Sequence, residues 1–68
     1  MQVEKRAIEI KAGDTIMIEY GAPDNFVKFK VRGVFSTDAK IMVLADSKVW
    51  NETFVFRPYE KVMVVPRV

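Results

Sequence analysis

Valine and isoleucine supply sixteen of the 68 residues, whereas Leu44 is the sole leucine. Leucine is ordinarily abundant and a strong helix former. Side chains branched at Cβ lose freedom against a helical turn and pack well on a pleated surface. A core drawn from Val and Ile, with eight aromatic residues added, demands β-structure almost throughout.

The length allows one domain, residues 1–68, and no second core. A chain of about 60 residues buries only about 60% of the surface it exposes when unfolded, so stability is marginal. Half the residues are apolar, a high share that offsets the ordering cost without staples. With no Cys and no His, disulfides and Cys/His zinc sites are ruled out. No apolar run reaches the 18 or so residues a membrane helix needs. The start, Met1-Gln2-Val3-Glu4-Lys5-Arg6, lacks the pattern of a secretory signal, so the expected location is cytoplasmic. A formal charge of +2 gives no strong long-range field, and nucleic-acid binding would require local clustering.

Apolar and polar residues alternate with period two in several places. Ile8 and Ile10 share a face, in a segment (Val3 to Ile10) that reads as an added N-terminal strand. Ala12-Gly13-Asp14 is a turn signal, followed by alternating Ile16, Ile18 and Tyr20. Gly21-Ala22-Pro23-Asp24-Asn25 is the clearest loop. Phe26 to Phe35 is the longest strand candidate, with Val27, Phe29 and Val31 on one side and Lys28, Lys30 and Arg32 on the other. Gly33 marks a bulge or sharp bend. Ser36 to Ala39 reads as a hairpin tip, and Ile41 to Ala45 as a central strand covered on both sides. Asp46 to Glu52 is a polar loop carrying Val49 and Trp50; Thr53 to Phe56 is a strand stopped by Arg57-Pro58. Pro58 to Lys61 predicts one turn of 3₁₀ helix, and Val62 to Val65 a last strand ended by Pro66. The resulting expectation is all-β: a small, strongly bent antiparallel barrel of five or six strands, with Gly33 at a corner.

Three stretches resemble the SH3-like barrel superfamily. Ala12-Gly13-Asp14-Thr15-Ile16-Met17-Ile18 is similar to the Gly-Asp turn that opens the first strand of KOW-type modules, with Gly21 seven residues after Asp14. The long bent strand then leads through a tight hairpin into Ile41-Met42-Val43-Leu44. Phe56-Arg57-Pro58-Tyr59-Glu60-Lys61-Val62 is similar to the one-turn helix before the last strand of SH3 barrels. The resemblance spans residues 12–66 and implies a fold. KOW modules place more glycines where this chain has Asn25-Phe26-Val27-Lys28. Trp50 follows the hairpin, whereas the groove tryptophan of signalling SH3 domains precedes it, so the peptide groove is not carried over.

Without His, a nucleophilic triad lacks its usual base. Paired carboxylates would come from Glu19 with Asp24 or Asp46 with Glu52, both where ordinary turns favour acids. No loop is dense enough in oxygens for Ca²⁺ or Mg²⁺. The expectation is therefore a non-enzymatic binding module with no metal, cofactor, small-molecule substrate or membrane partner.

Two kinds of partner remain open. Lys28, Lys30 and Arg32 alternate along one strand face about 7 Å apart, close to the spacing of phosphates along a nucleic-acid strand. Phe26 offers a face for stacking a base, and Tyr59 a second one, in DNA or RNA. The same cations equally serve a solvated strand, where lysines guard an edge. The rival is a protein partner, or self-association, through Trp50 and an apolar set at the out-facing positions Met17, Val55 and Met63. Trp50 also suits a plain lid over an open barrel end, and an N-terminal strand covering the apolar set is the corresponding bland account.

Overall fold

The computed structural model describes residues 3–65. Six strands run in chain order: β1 (Val3–Arg6), β2 (Thr15–Glu19), β3 (Phe26–Ser36), β4 (Ile41–Asp46), β5 (Asn51–Phe56) and β6 (Lys61–Val65). They form one antiparallel sheet in the order β1-β6-β2-β3-β4-β5. The all-β expectation holds, at the higher strand count. The hydrogen-bonded ladder leaves β1 and β5 as edges and is not closed.

A single flat layer would be about 10 Å thick, the spacing at which sheets stack. The molecule measures 31 × 25 × 24 Å, so the sheet curls around its own core. Ile16, Phe29, Val31, Ile41, Val43, Ala45, Val62 and Val64 fill the inside of that curl. β3 makes the bend. Its first half, through Lys30, pairs with β2, and from Lys30 onward it pairs with β4. Val31 lies opposite Ala45 and Gly33 opposite Leu44, which leaves Arg32 as the extra residue of a bulge. One added residue reverses the facing of all that follow. Phe29 and Val31 point inward before it, Val34 packs on the core after it, and Phe35 turns outward at 59% exposure.

The N-terminal segment differs from the expected strand. β1 ends at Arg6, and Ala7–Glu9 forms a 3₁₀ turn, with the Arg6 N–H donating to Glu9 Oε1 at 2.9 Å. Three residues per turn put positions i and i+3 on one face. Ala7 and Ile10 are accordingly buried together, whereas Ile8, the supposed partner of Ile10, is 54% exposed. The predicted 3₁₀ turn at Pro58 to Lys61 is instead a single reverse turn. The Glu60 N–H donates to the Arg57 carbonyl at 3.0 Å, and β6 starts at once at Lys61. Pairing of Lys61 with Arg6 leaves no room for a further helical residue. β4 is covered on one side only. Ile41, Val43 and Ala45 are buried, while Met42 and Leu44 are half-buried on the outer face, where the described residues form no second layer. Pro66, expected to end the last strand, lies outside the described residues.

Candidate nucleic-acid interface

Position in β3 sets the direction of each basic side chain. With Phe29 and Val31 buried, Lys28 and Lys30 must project from the outer face, and both are exposed. Arg32, the bulge residue, is exposed as well. The three cations differ in what surrounds them. Arg32 Nε donates to Asp46 Oδ2 at 3.2 Å, an ion pair at the end of β4. Lys28 and Lys30 have no carboxylate within ion-pair distance among the described residues. The expectation of three unpartnered cations is therefore corrected at Arg32. The bulge swings that residue toward the β4 end, where Asp46 already lies opposite Lys30.

The fold adds a fourth cation that the strand pattern did not contain. Lys48 lies at the tip of the β4–β5 hairpin, a turn held by one hydroxyl. Ser47 Oγ accepts from the N–H groups of Val49 (3.2 Å) and Trp50 (3.1 Å), and the Ser47 N–H donates to the Trp50 carbonyl at 2.9 Å. That closure brings Lys48 beside the start of β3. Lys28, Ser47 and Lys48 line two adjoining concavities. One, about 330 Å³, also has Phe26, Val27 and Val49 in its wall. The other, about 540 Å³, continues past Thr15, Lys30 and Arg32 to Asp46. The sequence signal for Lys48 was slight, because it sits twenty residues from Lys28 in a loop read only as polar.

Charge is uneven along this track. At the Asp46 end a carboxylate offsets Arg32 and lies opposite Lys30. At the other end Lys28 and Lys48 have no carboxylate within ion-pair distance among the described residues; they lie next to the exposed ring of Phe26, with Glu19 opposite that ring on β2. Lys28 and Lys48 are the two cations that line both concavities.

Tyr59 does not join this site. It sits in the Arg57–Glu60 turn, 72% exposed, near Ala39 at the opposite end of β3. The Arg6 guanidinium lies 5.8 Å from its ring centroid.

The residues proposed for a protein partner also separate. Met17 and Met63 are direct cross-strand neighbours on β2 and β6. Val55 is on β5, with β3 and β4 between it and Met17. Its neighbours are Met42 and, beyond that, Phe35, so the outer apolar row is Phe35–Met42–Val55. Trp50 belongs to the inner side. Its ring packs edge-on against buried Phe29 (centroids 5.5 Å apart) and against Tyr20 (5.8 Å), leaving 38% of it exposed. Glu52 Oε1 accepts from both the Trp50 indole N–H (2.9 Å) and the Tyr20 hydroxyl (3.1 Å). Partial burial, then the hydrogen bond and charge of Glu52, hold the Tyr20 phenol above its ordinary value of 10.0.

The two carboxylate pairs singled out for acid–base chemistry have local partners. Glu19 Oε2 accepts the Asp24 N–H at 2.8 Å, closing the β2–β3 loop. Asp46 and Glu52 occupy adjacent cross-strand rungs, opposite Asn51 and Ala45, and so face opposite sides of the sheet. No group of acids among the described residues is arranged to hold a metal ion. No helix among them is long and apolar enough to cross a membrane. No family model, curated protein or solved structure matches the chain.

Proposed function

We propose that this domain binds nucleic acid through its phosphate backbone, with Lys28, Lys30 and Lys48 as the phosphate contacts and Phe26 as a stacking surface. The observation that carries the reading is the meeting of two chain segments, β3 and the Ser47–Trp50 turn, at two adjoining lysine-lined concavities, the smaller of which has an exposed ring in its wall. Arg32, engaged by Asp46, fixes one end of the track rather than taking a phosphate. Such contacts neutralise phosphates in DNA or RNA and read little sequence. The SH3-like architecture belongs to the same proposal; a curled sheet, a bulged long strand and a reverse turn before the last strand favour it. Action as a regulator or inhibitor of a protein partner has less support, because Trp50, Met17, Val55 and Met63 do not form one surface.

Gel-shift titration with duplex DNA, single-stranded DNA and RNA at two ionic strengths tests it. Three phosphate contacts predict a log–log salt slope of about −2 to −3. Replacing Lys28, Lys30 and Lys48 together by Ser should reduce affinity at least about tenfold and flatten the slope, with the circular dichroism unchanged. A triple variant that binds every probe as the wild type does would dispose of the proposal.

A further inference from the structure

The two edges of the sheet are built differently. β1 presents Val3-Glu4-Lys5-Arg6, three charges in four residues, a composition that discourages strand addition. β5 presents Asn51-Glu52-Thr53-Phe54-Val55-Phe56, with no Lys, Pro or bulge. Its one charge, Glu52, is turned inward to Tyr20 and Trp50.

Hydrogen-bond phase shows which β5 groups face the open side. The Ser47 N–H bonds the Trp50 carbonyl, and bonded and non-bonded pairs alternate along an antiparallel ladder. Glu52, Phe54 and Phe56 therefore bond to β4. The N–H and C=O of Asn51, Thr53 and Val55 point away from it, with no backbone partner among the described residues. The outer apolar row Phe35–Met42–Val55 ends at this same edge, with Phe35 59% and Val55 57% exposed.

We propose that a second copy of this chain adds to the β5 edge, antiparallel and centred on Val55, which goes beyond the nucleic-acid reading and does not depend on it. Complementarity selects both occupant and register. Centred on Val55, each copy sets Val55 against Val55 on the outer face and Phe54 against Phe56 on the inner one. The apolar row then runs unbroken through both copies. The paired stretch, Phe54 to Phe56, carries no charge, and the ladder ends there because the Arg57 N–H donates to Glu60 Oε1 and its carbonyl accepts from the Glu60 N–H. Centring on Thr53 instead would set Val55 against Asn51 and Phe54 against Glu52. A two-fold operation uses the single β5 edge of each chain, so the assembly closes at a dimer.

The contact is small, so association is measured by sedimentation velocity up to about 1 mM protein. The wild type should shift from monomer to dimer with concentration, insensitive to salt. Val55→Lys, which opposes two like charges at the two-fold, should stay monomeric with an unchanged circular dichroism spectrum. Independently, Val55→Cys should form a disulfide dimer on mild oxidation faster than Asn51→Cys, since a hydrogen-bonded pair sits about 5.5 Å apart at Cα and the chain has no other thiol. A wild type monomeric throughout, a dimer that survives Val55→Lys, equal cross-linking of the two cysteine variants, or growth past the dimer would each overturn the proposal.

Discussion

Glu52 shows how one side chain changes meaning with its facing. In the sequence it is half of a carboxylate pair in a polar loop; in the fold it is the acceptor that ties Trp50 and Tyr20 over Phe29. The Tyr20 phenol is held above 10.0 by partial burial and by Glu52. A raised phenol value means that stability is full below the unfolded value and is lost as pH climbs through the folded one. The stability difference between wild type and Tyr20→Phe should thus be constant near neutrality and shrink above about pH 10, where other alkaline titrations cancel in the comparison. Chemical denaturation from about pH 8 to about pH 11 reads this directly; a flat difference would show that the folded phenol is not raised.

Among the elements, β3 carries the most information, and its glycine behaves unlike its role in the pattern. Gly33 marks the bulge, yet its backbone does not require a glycine, and an added Cβ would meet only Phe35 Cε2 at an ordinary 3.9 Å. Gly33→Ala should be neutral or stabilise by up to about 1 kcal/mol through the unfolded chain. Gly13, at φ 95° in the turn before β2, is the contrasting case, and Gly13→Ala should cost about 1–2 kcal/mol. Thermal melts of the two variants decide between these outcomes. Period-two alternation made the inward set Val27, Phe29 and Val31 readable, because a strand has only two faces. The same rule failed at Ile8 and Ile10, where Ala7 is small enough to enter the core and a turn of period three satisfies burial better. It also could not follow Phe35, since the bulge at Arg32 reverses facing without altering composition.

For the whole molecule, one curled sheet with one core implies one cooperative transition. Trp50 sits on Phe29, the largest fully buried side chain, so its fluorescence reports the core itself. Denaturant curves by Trp50 fluorescence and by far-ultraviolet circular dichroism should coincide. Phe29→Ala should cost about 3–5 kcal/mol, enough to unfold most of a marginal domain of this size. Separate midpoints for the two signals would mean that the hairpin carrying Trp50 unfolds apart from the rest. The candidate interface is likewise a property of the whole. Lys28 and Lys30 were visible as a row on one strand, whereas Lys48 became their neighbour only when β4 and β5 closed on Ser47.

The β-class of this protein, its principal strands and the outward direction of its β3 lysines follow from the chain alone. Branching at Cβ and strict alternation act between residues one or two apart, and such short-range constraints survive without any knowledge of the fold. Which cation is neutralised, which carboxylate holds an aromatic and which edge stays open depend on contacts between residues far apart in sequence. Arg32 meets Asp46 across fourteen residues and Tyr20 meets Glu52 across thirty-two. Those pairings come from the register of the ladders and a single bulge, and only the folded sheet decides them.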